Sequence, residues 1–259
     1  MKWIASLCLL LPLAVQAAVV GKTVEYVADG VKMKGYMAYD DAIKGKRPGV
    51  LVVHEWWGLN DYARKRANML AEAGYVALAV DMYGDGKTAD HPKTAGEMAG
   101  AVNKNPPLAR ARFAAAQKFL GVQPMVKRGQ IAALGYCFGG AVVLDMARAG
   151  EPLKGVVSYH GILASDVPVK PGAIKAKVRV FTGEADPMVP PEHVEAFKTE
   201  MNNAKADWQL VSYPGVKHTF TNPDADVYAA KFGLPLKYDA HADHSSWAHT
   251  LDFLKSVFK

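Results

Sequence analysis

A single cysteine sits among glycines in Gly135-Tyr136-Cys137-Phe138-Gly139-Gly140. An apolar, β-prone run at residues 130–134 leads in, and a helix-like run at 141–147 leads out. Strand, tight turn and helix in that order form an elbow that presents the turn residue at the top of a sheet. A thiol attacks only as thiolate, so Cys137 as a nucleophile needs a base or a depressed pKa. The turn N–H groups and the N-terminus of the following helix supply part of that field.

The base is expected to be a histidine late in the chain, on the loop after a strand. His218 fits best, because Pro214-Gly215 turns the chain back after the strand expected at 208–213. His160, in Val157-Ser158-Tyr159-His160-Gly161, is the rival and reads better as a pocket wall or a hydrogen-bonded core residue. Between nucleophile and base, the strand expected at 178–182 ends in Gly183-Glu184-Ala185-Asp186-Pro187. Asp186 is the expected orienting acid, with Glu184 the near alternative. His54-Glu55-Trp56-Trp57-Gly58 follows the apolar run 50–53. There the backbone N–H of Trp56 is the candidate oxyanion donor, paired with that of Phe138. Glu55 is expected near the thiol, able to accept its proton or hold it. Trp57, Tyr83 and His160 are expected to contact substrate.

These residues need a scaffold. Residues 24–28 and 33–39 alternate around Asp29-Gly30 and predict a hairpin. Runs at 50–53 and 75–80 are wholly apolar, as strands buried on both faces are. Further strands are expected at 130–134, 153–158, 178–182 and 208–213. Helices are expected after Asp61, which is placed as their cap, and at 107–120, 191–201 and 245–258, with Asp243 as cap of the last. Strand and helix alternate, so the class is α/β, with a mostly parallel central sheet and helices on both faces. The Gly-, Lys- and Asp-rich stretch 84–105 follows a strand's carboxyl end and reads equally as a lid or a surface excursion.

Composition sets the limits. Half of the 259 residues are hydrophobic and 22% are charged, enough for one large α/β domain and without signs of disorder or repeats. Lys2 followed by an apolar run at 4–15 and Val15-Gln16-Ala17 reads as an export signal cleaved after Ala17. A lipid anchor at Cys8 is the weaker reading, since Ser6-Leu7 is a poor context for it. The expected product is a single domain over residues 18–259, periplasmic or secreted and not membrane-bound. Of the two cysteines, Cys8 leaves with the signal, so Cys137 has no partner for an internal disulfide. The net charge of +6 is scattered, with no basic stripe interleaved with aromatics, so nucleic acid is not an expected partner. His241, His244, His249, Asp239 and Asp243 cluster near the C-terminus, but without a helical His-Glu-x-x-His pair. No metal site is expected.

Taken together, His54–Asn60, Ala79–Gly84, Gly135–Gly140, Gly183–Pro190 and Gly215–Phe220 resemble the dienelactone hydrolase family of α/β-hydrolases. The likeness covers nearly all of the chain from Tyr26 on. In that family the nucleophile, acid and base are Cys, Asp and His, which match Cys137, Asp186 and His218, and a glutamate in the oxyanion loop matches Glu55. The resemblance implies lactone or ester hydrolysis without a metal or organic cofactor, on a small-molecule substrate. The chain departs from the family at two arginines that hold a substrate carboxylate: it has Tyr83-Gly84-Asp85 in one place and Asn222 in the other. Arg64, Arg110 and Lys87 are the available substitutes. The rival readings are a non-catalytic ligand-binding relative and a thiol redox protein, with proteolysis a weaker enzymatic alternative.

Overall fold

The computed structural model describes residues 19–165 and 169–259. The expected export signal lies outside the described residues. The hairpin forms as expected: β1 (Val19–Ala28) and β2 (Val31–Asp40) meet at Asp29 and Gly30, whose φ angles are 49° and 73°. Positive φ at both turn positions matches the right-handed twist of the flanking strands, and Asp-Gly is a pair that tolerates it.

Six more strands follow: β3 (Arg47–Val53), β4 (Val76–Val80), β5 (Val126–Tyr136), β6 (Gly155–Tyr159), β7 (Lys177–Gly183) and β8 (Trp208–Tyr213). The eight form one sheet in the order β1-β2-β4-β3-β5-β6-β7-β8. The β1–β2 and β2–β4 pairs are antiparallel and all others are parallel. Alternate side chains of the apolar strands enter different cores. Leu51 and Val53 point to one face, while Val50 and Val52 point to the other. The first core is closed by α3 (Pro106–Gly121), α4 (Phe138–Arg148) and α5 (Pro191–Asn203) through Phe113, Val142 and Phe197. The second is closed by α1 (Asp61–Glu72) and α7 (Ala240–Val257) through Ala67, Leu70 and Leu254.

From β3 the chain runs to β4 on one side, and the sheet continues to β5 on the other. The connections diverge there, and open α/β sheets place ligands at the carboxyl ends beside such a point. The loop after β3 carries Glu55, and the turn after β5 carries Cys137.

Several local expectations change. Asn60, not Asp61, caps α1, its Oδ1 accepting from Ala63 N–H at 3.3 Å. Asp61 is the first residue of the helix, where its charge still suits the dipole. The last helix begins five residues before the expected start. Asp239 caps it, accepting from Ala242 N–H at 2.8 Å, and Asp243 is instead buried against Arg66. Stretch 84–105 holds α2 (Pro92–Asn103), begun by the His91 cap and Pro92. A short α6 (Ala225–Phe232) lies where no element was expected.

The elbow packs backbone against backbone. A Cβ on Gly139 would strike the Val53 carbonyl and the His54 oxygen, neither of which can swing aside as a flexible side chain can. Gly139→Ala should therefore destabilise by about 3 kcal/mol or more through overpacking. A thermal melt should show a Tm lower by at least about 6 °C. A Tm within about 2 °C of the parent would mean that the turn can relax around a methyl group.

Candidate active site

Cys137 is held in a conformation that side chains rarely adopt, with φ 53° and ψ −115°. Such backbone costs roughly 1–3 kcal/mol and persists only where its surroundings enforce it. Gly135 and Gly139 allow the crossing, since a Cβ on Gly135 would overlap the Gly139 carbonyl. The Cys137 N–H donates to Tyr159 O at 3.0 Å, and Gly139 N–H donates to His54 O at 3.1 Å. Those bonds tie the elbow to β6 on one side and to the loop after β3 on the other. Cys137 is partly exposed.

The loops after β7 and β8 are joined by Ala185 N–H donating to Val216 O at 2.9 Å. That bond brings Asp186 beside His218. His218 Nδ1 lies 2.7 Å from Asp186 Oδ2, and Nε2 lies 3.1 Å from Cys137 Sγ. Asp186 Oδ1 also accepts from Met188 N–H at 2.8 Å, so both carboxylate oxygens are engaged. Glu184, the near alternative, is exposed. Burial by itself opposes charge on His218. The Cys137 sulfur and the Asp186 carboxylate outweigh it and hold the imidazole up at about 10.

The loop after β3 is pinned by its carbonyls. Glu55 O lies 2.5 Å from His54 Nδ1 and accepts from Gly58 N–H. Trp56 O accepts from Tyr83 Oη at 2.9 Å, and Trp57 O accepts from Ala89 N–H at 2.9 Å. His54 Nε2 accepts from Met82 N–H at 3.3 Å, which puts the proton on Nδ1. Burial lowers the His54 pKa to about 4, so the ring stays neutral. In a trans peptide the N–H points opposite to the preceding carbonyl. The Trp56 and Phe138 N–H groups thus face away from the carbonyls of Glu55 and Cys137. Among the described residues no protein acceptor meets either.

Three residues named as substrate contacts also take bracing positions. Trp57 is buried, stacked on Tyr228 of α6 at 4.7 Å. Tyr83 is buried and spends its hydroxyl on the Trp56 carbonyl. His160 is fully buried, with both ring nitrogens bonded to protein. Trp56 remains partly exposed, and Gly96 of α2 faces its ring. Segment 84–105 therefore borders the site through α2.

Sequence reasoning missed the partner of Glu55. Asn222 Nδ2 donates to Glu55 Oε2 at 2.7 Å, across 167 residues. Among the described residues nothing bonds the buried Oε1. Burial pushes the Glu55 carboxyl up to about 7, with the Asn222 bond and the charges of His218 and Arg66 restraining the rise. Nothing local in the sequence signals that pairing.

A family model described as "Dienelactone hydrolase family" matches residues 33–258. This chain belongs to the dienelactone hydrolase family. It is a hydrolase of the kind that acts on ester or lactone bonds. It is 29% identical over 252 residues to a putative carboxymethylenebutenolidase of Aquifex aeolicus, covering 92% of this chain and all of that one. It is 28% identical over 246 residues to protein usf of Aquifex pyrophilus, covering 91% and 98%. The crystal structure of a dienelactone hydrolase-like promiscuous phosphotriesterase from metagenomic libraries superposes with a TM-score of 0.88 at 35% identity, covering 93% of this chain and all of that one.

The cations suggested in place of the family arginines are engaged elsewhere. Arg110 bonds Glu151 at 2.6 Å, and Arg64 lies over the Tyr36 ring at 4.9 Å. Lys87 lies 4.0 Å from Asp85. The C-terminal His and Asp residues are likewise dispersed: Asp239 caps α7, Asp243 pairs with Arg66, and His249 stacks on Phe181.

The Glu55 environment predicts a pH-dependent stability. The unfolded chain releases this proton near the ordinary carboxyl value, whereas the folded chain holds it to about 7. Between those values the folded state binds more protons, so stability falls as pH rises, by about 3 kcal/mol in all. Glu55→Gln removes the effect. In urea denaturation at pH 5 and pH 8, the variant should gain on the parent at the higher pH by up to that amount. An offset equal at both pH values would show that Glu55 ionises normally.

Proposed function

We propose that this chain is an exported hydrolase, periplasmic or secreted, that opens a small lactone or cleaves a carboxylic ester through Cys137. The continuous hydrogen-bonded line from Asp186 to His218 to Cys137 carries the reading, at 2.7 and 3.1 Å. An imidazole nitrogen in hydrogen-bond contact with the sulfur can take the thiol proton, and the thiolate is the attacking form. That arrangement favours catalysis over ligand binding alone.

Cys137 Sγ adds to the substrate carbonyl and forms a tetrahedral intermediate. The Trp56 and Phe138 N–H groups, both without protein acceptors among the described residues, stabilise its oxyanion. The carbon–oxygen bond to the leaving group breaks, and His218 gives that oxygen its proton. The acyl group is then a thioester on Cys137. Neutral His218 takes a proton from water, which attacks the thioester and releases the acid. Asp186 fixes the Nδ1–H tautomer of His218 and stabilises its charged form. Thiolate is a better leaving group than an amide nitrogen, so activated esters and strained lactones, not amides, suit this nucleophile. The partner is a small molecule rather than nucleic acid or membrane.

Rapid acid quench after mixing with an activated ester tests the reading. Mass analysis should find one acyl group on Cys137 in the parent and none in Cys137→Ala. Both Cys137→Ala and His218→Ala should lose kcat/KM by on the order of 10⁴-fold or more. No adduct and no turnover, across several ester and lactone shapes, would favour a binding or redox protein instead.

A further inference from the structure

Two loops must meet for the sulfur–imidazole contact to exist, and they come from β5 and β8, strands that are not neighbours in the sheet. His160 touches both. Its Nδ1 accepts the backbone N–H of Cys137 at 3.1 Å, a proton shared with Tyr159 O. Its Nε2 lies 2.9 Å from Thr221 Oγ1, three residues beyond His218. Among the described residues no other side chain, the Cys137–His218 pair apart, hydrogen-bonds to both loops.

The tautomer follows from the partners. A backbone N–H can only donate, so Nδ1 carries no proton, and Nε2–H donates to Thr221 Oγ1. Thr221 Oγ1 also accepts from Tyr62 Oη at 2.6 Å. Tyr62 Oη in turn accepts from Arg66 Nε at 3.1 Å. Arg66 donates onward to Thr221 O at 2.6 Å and to Asp243 Oδ1 at 2.5 Å. The ring therefore ends a buried chain of bonds that begins in α7. Its backbone is unusual too, with φ 40° and the N–H held by Phe181 O at 2.8 Å. The ring meets the His218 imidazole edge-on at 5.0 Å. A proton on Nδ1 would remove the acceptor for Cys137 and set a second cation against His218. Burial first, and the charge of His218 next, keep His160 neutral.

We propose that His160 is a positioning residue: a neutral imidazole that straps the Cys137 turn to the His218 loop and sets the sulfur–imidazole separation. The proposal rests on the triad reading above. It touches neither substrate nor proton in the reaction.

Two substitutions divide the strap. His160→Asn keeps an acceptor for the Cys137 N–H, is too short for Thr221, and tolerates positive φ. His160→Gln reaches Thr221 and leaves the Cys137 N–H with Tyr159 alone. Iodoacetamide alkylation of the full chain, followed at the Cys137 peptide by mass from pH 5 to pH 9, reads thiolate without turnover. Both variants should alkylate about tenfold slower than the parent at pH 6 and recover by pH 9. Their kcat on an activated ester should fall by about tenfold to a hundredfold with KM nearly unchanged, the cost of a misplaced reacting pair. A parental alkylation profile in both variants overturns the proposal, whatever their Tm. If either fails to fold, Thr221→Val carries the test: the same loss on the acid side supports the strap, and an unchanged profile overturns it. His218→Ala separates the two readings. If it alkylates like the parent, the triad reading fails. If it loses the acid-side reactivity while the His160 variants keep it, only the strap fails.

Discussion

The turn at Cys137 is the constraint on which the site depends. Its backbone is strained, and strain of that kind relaxes unless neighbours hold it. Here the neighbours are backbone. Gly135 crosses the Gly139 carbonyl, Gly139 lies on Val53, and Gly140 approaches Gly161. Three strands, β3, β5 and β6, are therefore drawn together at their carboxyl ends by the same small residues. A sheet buried on both faces can supply that rigidity, because each strand is fixed by two cores and two ladders. The Cys137 sulfur is placed by packing that has nothing to do with sulfur.

Buried imidazoles show how environment divides one side-chain type into different roles. His54, His160 and His218 are all fully or nearly fully buried. His54 and His160 accept hydrogen bonds from backbone N–H groups, hydrogen-bond to no carboxylate among the described residues, and stay neutral. His218 faces a carboxylate on one nitrogen and sulfur on the other, and holds its proton. Burial alone pushes all three the same way, so the difference lies in partners. Glu55 completes the contrast: it is buried like Asp186, but among the described residues Asp186 has a partner for each oxygen and Glu55 has a partner for only one.

The buried Arg66–Asp243 pair sits at the other end of the same framework. A buried ion pair is weak evidence for stability, since desolvation offsets much of the attraction. Its geometry shows a different use. Arg66 also bonds the carbonyl of Thr221 and the hydroxyl of Tyr62, and so fixes the loop that follows His218. Helices α1 and α7 thereby reach the site without contributing a reacting group.

Much of this was legible in the sequence. Apolar runs marked the central strands, the Asp-Gly pair marked the hairpin, and the glycine spacing around Cys137 marked the elbow. These are local signals, set by backbone sterics and by alternation of side chains. The order of Cys137, Asp186 and His218 on the loops after β5, β7 and β8 also follows from topology, because parallel strands deliver their carboxyl-end loops to one edge. Helices α2 and α6 escaped, and α7 starts before its expected cap, because Asp239 and not Asp243 accepts from its first turn. The sequence by itself determined the scaffold and which loops carry Cys137, Asp186 and His218. Only the tertiary structure decided that Asn222 meets Glu55, that Arg66 meets Asp243, that His160 takes the hydrogen-bonded core position, and that Tyr83 bonds the Trp56 carbonyl. Those contacts join residues far apart along the chain, and no local pattern encodes which buried polar atoms will find each other.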